Sequence, residues 1–318
     1  MVRRGLLGLI AVVLIAGGEA GVRDGGHANG GVWTPTILNP FPGGSLWNTP
    51  LPRRPRVDPK SSEKISYWLT QTRHPNVALR AYATAIAIAT PTSVRHRVSC
   101  TVYACPNMHQ FGAVPIPAGT RADPSPDGHL AVWDPKKQRE WDFWISKCPS
   151  ACNQAGGGGS FTTRTTRPHV RHGANAAGVP LLAGIIHPEE IKASRIRHPL
   201  VFASPNVGRG HVCPARRDDG ANPDTRALRE GSLLQLDPRI VVAALPIPDW
   251  QKTIARALQR YGMYLVDEGG SLSLGAENPI NRGDLWAEVG LNGDSALFAP
   301  EFPWSAMRVL QPRPRWCR

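Results

Sequence analysis

The feature that most constrains this chain is its punctuation: 32 glycines and 31 prolines are spread through 318 residues. Proline removes a backbone donor and glycine favours turns, so regular elements must be short and loops frequent. That density stays below the level of low-complexity disorder. With 41% hydrophobic residues and ten tryptophans, the chain has the apolar surface for a substantial core. Short strands joined by turns satisfy both conditions; a fibre or a wholly disordered chain satisfies neither.

Arg3 and Arg4, the apolar run 5–17 and the small-residue end Gly18-Glu19-Ala20 read as a signal peptide over residues 1–20. The run is shorter than a bilayer span requires and no second one follows, so stable membrane insertion after cleavage is not expected. The six cysteines, Cys100, Cys105, Cys148, Cys152, Cys213 and Cys317, suit disulfides in an oxidising compartment. Two close pairs suggest local bridges, leaving Cys213 for Cys317. No matched Cys-x2-Cys spacing argues for zinc. The expected location is extracellular.

A formal net charge of +13 favours acidic partners, among them anionic polysaccharides and cell-wall polymers. The arginines are scattered and no basic run interleaves with aromatics, so nucleic acid is not an expected partner. The glycine run 156–159 lacks the lysine and hydroxyl of a phosphate loop, and neither His-Glu-x-x-His nor Gly-x-Ser-x-Gly occurs. His169 and His172 lack a third ligand. No cofactor and no metal is implied.

Residues 21–44 read as a Gly/Pro-rich N-terminal arm, 45–310 as a single β-rich globular domain, and 311–318 as a short basic C-terminal tail. Helical spacing of Ile65, Trp68 and Leu69 predicts a helix over 62–73, and Asp249 caps a second that ends at Gly262. A third starts at Pro188. Strands are predicted at 79–89, 94–103, 160–166, 200–203 and 232–236, with the glycine run 156–159 as a flexible tip. Hairpins are expected for 129–134 with 140–146, and for 263–266 with 271–274. The fold class is therefore mainly β: a β-sandwich or jelly-roll-like single domain with a few peripheral α-helices.

Several segments occur together: Ser45-Leu46-Trp47-Asn48, Asp127-Gly128-His129, Trp141-Asp142-Phe143-Trp144, Ala177-Gly178-Val179-Pro180 with Ala183-Gly184-Ile185-Ile186, Arg195 to Leu200, Arg260-Tyr261-Gly262-Met263 and Phe302-Pro303-Trp304. This ensemble, covering about 45–310, resembles a family of secreted bacterial proteins that mostly carry no assigned activity. Where this chain has Pro199 the family pattern has alanine, and the cysteine-containing stretches look particular to this sequence. The resemblance implies one secreted domain and no mechanism.

Glycosidic hydrolysis needs two carboxyl groups. Turn chemistry accounts for Asp58, Asp123, Asp134 and Asp237 before proline, for Asp218 and Asp219 before glycine, and for Glu268 at a glycine turn. Asp142 survives this sorting: on a strand it shares a face with Trp144, opposite Trp141 and Phe143. On an open face that pair would stack a sugar and transfer a proton; the plainer alternative is an ion pair across the hairpin. Asp267 is the second candidate carboxyl. His129 is the candidate base of a lyase, with arginines neutralising a uronate. Trp47, Asn48, Trp133, Trp144 and His198 are the candidate substrate-binding residues, while Trp68 and Trp250 lie on apolar helix faces.

The function this predicts is action on extracellular polysaccharide, as a glycoside hydrolase or polysaccharide lyase using Asp142, Asp267 and His129. The alternative is a non-catalytic glycan- or cell-wall-binding protein, in which aromatics bind and no carboxyl pair converges.

Overall fold

The computed structural model describes residues 34–103, 105, 112–164 and 173–317. The signal segment, the arm up to Trp33, and His169 and His172 lie outside the described residues. In chain order, the strands of the two large sheets begin with β1 (Asn76–Ala78), β2 (Thr84–Ile88), β3 (Leu130–Asp134), β4 (Arg139–Trp144), β5 (Gly157–Thr162) and β6 (Leu200–Ser204). They continue with β7 (Leu233–Leu236), β8 (Met263–Glu268), β9 (Ser273–Leu274), β10 (Glu277–Asn278), β11 (Ser295–Leu297) and β12 (Met307–Leu310). One sheet of seven strands runs β11-β1-β9-β6-β8-β7-β12, and one of five runs β10-β2-β3-β4-β5.

Strand alternation sorts the apolar residues into layers. Val201 of β6 and Tyr264 and Val266 of β8 point to the same core as Ile86 of β2 and Ala131 and Trp133 of β3. That shared core makes the two sheets a sandwich. The opposite face of the seven-stranded sheet offers Leu200, Phe202, Leu234, Leu236, Met263 and Leu265. It is covered by α1 (Ser61–Gln71) and α3 (Asp249–Arg260). Trp68 of α1 meets Phe202 edge-on, ring centroids 6.1 Å apart, and its indole N–H donates to Ser204 Oγ at 2.9 Å. The outer face of the five-stranded sheet, with Leu130, Val132, Trp141 and Phe143, packs under Val98, Val114, Ile116 and Cys148. The short α2 (Pro188–Lys192) starts with proline in its first turn, as the sequence predicts.

The mainly β architecture, the peripheral helices and the hairpin of β3 with β4 agree with the sequence reading. The connectivity does not follow an all-antiparallel jelly roll, because β1–β9, β6–β8, β2–β3 and β2–β10 pair in parallel. β8 and β9 form no hairpin: β6 lies between them. The glycine run is not a tip. Gly157, Gly158 and Gly159 form half of β5, opposite Trp144, Phe143 and Asp142. A Cβ on Gly156 would lie 3.1 Å from the Trp144 ring and one on Gly157 3.3 Å from Tyr103, so the missing side chains make room for aromatics. Asp249 opens the first turn of α3 without a side-chain capping bond.

Disulfides join Cys100 to Cys105, Cys148 to Cys152 and Cys213 to Cys317, the pairing that proximity in sequence suggests. The last fastens the tail, whose Trp316 is buried in the inter-sheet core. Phe41 enters the same core from the arm. Among the described residues, no helix is long and apolar enough to cross a membrane.

Candidate functional site

A cleft of about 640 Å³ opens over the ends of β1, β6 and β8, and Asp127, His129, Asp267, Glu268 and Asp294 are among the residues lining it. Asp267 reaches it through a fault in strand pairing. Phe202 stands opposite Leu265, but the next residue, Ala203, stands opposite Asp267. The extra residue, Val266, is a β-bulge, the device that re-aims a side chain at a sheet edge. Ala177 N–H donates to Val266 O at 2.9 Å, tying the segment before the cleft wall to the bulge.

Asp127 and His129 arrive from the other sheet, on the turn that leads into β3. Ile145 N–H donates to Asp127 O at 2.7 Å and Ser146 N–H to Gly128 O at 3.1 Å, pinning the turn to the end of β4. Gly128 is required there: its φ is +48° and an added Cβ would lie 3.1 Å from Ser146 N. The Trp144 indole N–H donates to Asp127 Oδ1 at 3.2 Å, and its ring lies 5.5 Å from that of Tyr103, tilted by 32°. His129 Nε2–H donates to Ala174 O at 3.2 Å. Tyr82, 60% exposed and in the left-handed region at φ 56°, stands on the cleft wall.

The electrostatics single out Asp267. Burial, followed by the charges of Asp219 and Asp127, pushes its carboxyl up to about 8. Backbone amides of Ala176 and Glu268 oppose that shift. Glu230, on the short strand Arg229–Glu230, is fully buried and neither of its carboxyl oxygens has a hydrogen-bond partner. Burial and then the charge of Asp267 push it up to about 9. Arg217 donates to the carbonyl oxygens of Gly173 at 2.7 Å and Asn175 at 2.6 Å. Burial lowers its pKa, and the charges of Asp267 and Asp219 act against that. One cleft thus holds a carboxyl that stays protonated near neutrality beside a second carboxyl and a ring nitrogen, a set able to give and take protons.

Of the sequence candidates, the cleft brings together Asp267, His129 and, through Asp127, Trp144. Asp142 is not on an open face, and among the described residues it pairs with no lysine or arginine. It is wholly buried, its Oδ2 accepts from Leu181 N–H at 2.9 Å, and Glu140 Oε1 accepts from Leu182 N–H at 2.8 Å. The other oxygens, Glu140 Oε2 and Asp142 Oδ1, are buried without a hydrogen-bond partner, and the two carboxyls lie one strand repeat apart. Burial raises Glu140 to about 7, and burial with the Glu140 charge raises Asp142 well above the carboxylate range. The pair hangs the 181–182 loop from β4 and has no access to a polymer.

Trp47 and Trp133 are 2% exposed in the inter-sheet core, Trp47 edge-on to Tyr264 at 5.8 Å, so neither is a sugar platform. Asn48 Nδ2 donates to Asn39 Oδ1 at 2.6 Å and Phe41 O at 2.5 Å, which fastens the arm. His198 is buried with Nε2 on Glu190 at 3.1 Å. Burial alone would lower it, yet the Glu190 charge holds it above the usual histidine value. These four are structural.

Among the described residues, His187, Glu189 and Glu277 have ligand atoms within 4.8 Å of one another. Arg282 already bridges the two carboxylates, donating to Glu189 Oε1 at 2.7 Å and to Glu277 Oε2, so a guanidinium supplies the positive charge that a metal would.

No protein-family model, no curated protein and no solved structure matches the chain. The functional reading therefore rests on the cleft itself. Sequence reasoning missed Asp127, although it opens the Asp127-Gly128-His129 segment. It also assigned Asp219 and Glu268 to turns. Neither stands in a turn, since Glu268 closes β8 and Asp219 lies in an irregular loop, and their convergence depends on the β8 bulge and on pairing between distant strands, which no local pattern encodes.

Proposed function

We propose that this chain is a secreted glycoside hydrolase acting on an extracellular polysaccharide, with Asp267 as general acid and Asp127 as the second carboxyl. The observation that carries the reading is Asp267: a carboxyl pushed up to about 8 at the floor of a cleft that a second carboxyl, Asp127, also lines. Environments that push two carboxyls apart in acidity are how such enzymes divide acid from base or nucleophile. Asp267 gives its proton to the glycosidic oxygen as the bond to the sugar carbon breaks. Asp127, oriented by the Trp144 N–H, attacks that carbon or takes a proton from the water that does. Tyr82 offers an apolar ring face on the wall, as sugar stacking requires. Three disulfides and the signal-like leader support export.

The lyase reading is the weaker one. It requires a cationic partner for the uronate carboxylate, and the cleft lining offers Asp127, Asp267, Glu268 and Asp294 with no lysine or arginine among the described residues.

The test is a product screen of the purified protein, disulfides intact, against neutral, amino-sugar and uronate polysaccharides. New reducing ends, lost in Asp267→Asn and in Asp127→Asn, are the expected result. Unsaturated products lost in His129→Ala would replace the hydrolase with a lyase. Binding of a polymer without any product would leave a glycan-binding protein.

A further inference from the structure

Among the described residues, the exposed aromatic rings are those of Tyr82 and Tyr103, at 60% and 63% exposure. The five-stranded sheet sets their positions. At one end of it β2 and β3 begin, β4 ends and β5 begins, side by side in that order. Tyr82 precedes β2 by two residues, Asp127 precedes β3 by three, and Trp144 closes β4. Tyr103 comes next: its main-chain N–H donates to Gly156 O at 2.8 Å, just ahead of β5. Asp127 therefore stands in a row of rings, with Tyr82 on one side and Trp144 with Tyr103 on the other. Neighbouring strands are about 4.8 Å apart, so the strands beside Tyr82 and Tyr103 lie about 14 Å from each other. One sugar ring cannot touch both.

Both rings are held in place. Thr101 N–H donates to Ala155 O and Val102 N–H to Gly156 O, each at 2.9 Å, and the disulfide from Cys100 to Cys105 brackets the segment. The bare backbone beneath leaves room for the two rings: a Cβ on Gly156 would lie 3.1 Å from the Trp144 ring, and one on Gly157 3.3 Å from Tyr103 Cβ. The Tyr103 and Trp144 rings pack on each other at 5.5 Å, and the indole N–H of Trp144 holds Asp127. Tyr82 keeps a left-handed backbone, φ 56°, that a residue with a Cβ adopts only under constraint, and such strain gathers at binding sites. A ring fixed before binding loses little freedom when a ligand arrives. Tyrosine offers an apolar face with a hydroxyl at its edge, which matches the C–H face and hydroxyl rim of a pyranose.

We propose that Tyr103, backed by Trp144, is a second sugar-stacking site, and that with Tyr82 it holds one linear polysaccharide on both sides of Asp127, so that internal bonds of the chain are cut. This rests on the hydrolase reading of the same cleft, but its own claim concerns where the polymer lies. The substrate class follows from the row: a long, extended, unbranched chain of pyranoses with flat C–H faces. The chain is neutral, because among the described residues the cleft lining offers no lysine or arginine to a uronate.

The experiment titrates β-1,4-linked hexasaccharides and trisaccharides of glucose, xylose, mannose and N-acetylglucosamine into the whole protein carrying Asp267→Asn, which binds without cutting. The β-1,4 linkage gives the extended chain that the row requires. One hexasaccharide is expected to bind at least about tenfold tighter than its trisaccharide, which is too short to engage both rings. Tyr82→Ala and Tyr103→Ala are each expected to weaken that hexasaccharide about fivefold, while Tyr103→Phe, which keeps the ring, leaves it unchanged. Wild-type protein should release oligosaccharides of mixed length from the matching polymer at early times. An unchanged hexasaccharide affinity in Tyr103→Ala, a trisaccharide bound as tightly as the hexasaccharide, or no binding of any probe would overturn the proposal. Ring-dependent binding without cleavage by the wild type would sink only the hydrolase. Cleavage that releases one short product from chain ends and is indifferent to Tyr103→Ala would sink only this inference.

Discussion

The indole N–H of Trp144 donates to Asp127 Oδ1 at 3.2 Å, joining the last residue of β4 to the turn that leads into β3. One hydrogen bond thus fixes the carboxyl that has to face Asp267, while the same ring packs on Tyr103. Trp144→Phe keeps a ring on Tyr103 and removes the donor. A charged acceptor that loses its donor costs about 1.5–3 kcal/mol, so kcat is expected to fall about tenfold or more with KM little changed. Trp144→Ala removes the ring as well and should raise KM. Steady-state kinetics on the polymer identified by the product screen decide this, and an unchanged kcat in Trp144→Phe would remove Asp127 orientation from the mechanism.

Asp267 sets the alkaline limit of activity. A general acid works only while protonated, so the rate should hold below pH 8 and fall as pH rises through about 8. Asp267→Asn should lose about 10²–10⁴ in kcat. After burial, the Asp219 charge is the largest cause of the shift, so Asp219→Asn should move the alkaline limb to lower pH without abolishing turnover. A limb that stays in place in Asp219→Asn would mean that another group titrates there.

Much of this arrangement can be read from the residues, and the rest has an identifiable reason. Periodicity finds α1 and α3 because Trp68, Ile254 and Leu258 repeat along one apolar face. It finds the β3–β4 hairpin because the signal is local. The same alternation places Asp142 beside Trp144 on one face, as the strand has it, but cannot tell an open face from the inter-sheet core. Glycine content misleads at 157–159, where bare backbone reads as a loop but serves the aromatics opposite it. Asp267 and His129 are legible as candidates from their position at strand ends. Their meeting with Asp127 is not, because it depends on β6 inserting between β8 and β9 and on a one-residue slip at Val266.

Gly128 is the hinge of the Asp127-Gly128-His129 turn, and its backbone lies in the left-handed region with Ile145 and Ser146 pressed against the position a Cβ would take. Gly128→Ala brings both strain and crowding, at about 1–3 kcal/mol. The expected outcome is a lower urea midpoint at unchanged m-value, together with a loss of activity larger than the loss of folded protein, because Asp127 and His129 both hang from this turn. Activity falling only in proportion to the folded fraction would show that the turn's geometry does not matter to the site.

The buried pair of Glu140 and Asp142 makes a prediction about stability rather than catalysis. Each carboxyl spends one oxygen on a main-chain N–H, of Leu182 and Leu181, and the remaining oxygens, Glu140 Oε2 and Asp142 Oδ1, are buried with no hydrogen-bond partner. The folded state therefore holds Glu140 up at about 7, above the unfolded value of 4.5. A group raised on folding stabilises fully below its unfolded value, and that contribution is lost as pH rises through about 7. Glu140→Gln removes the titrating group and still offers an oxygen to Leu182 N–H, so it should preserve the fold and raise the thermal midpoint at pH 9 relative to the parent. At pH 5 the two midpoints should nearly coincide. Asp142→Ala leaves Leu181 N–H without its acceptor and should lower the midpoint at both pH values, by an amount equivalent to about 1–3 kcal/mol. If the parent and Glu140→Gln instead lose stability in parallel between pH 5 and pH 9, Glu140 is not the group that titrates, and the alkaline loss belongs to carboxyls such as Asp267 and Glu230, which are also held above their ordinary range.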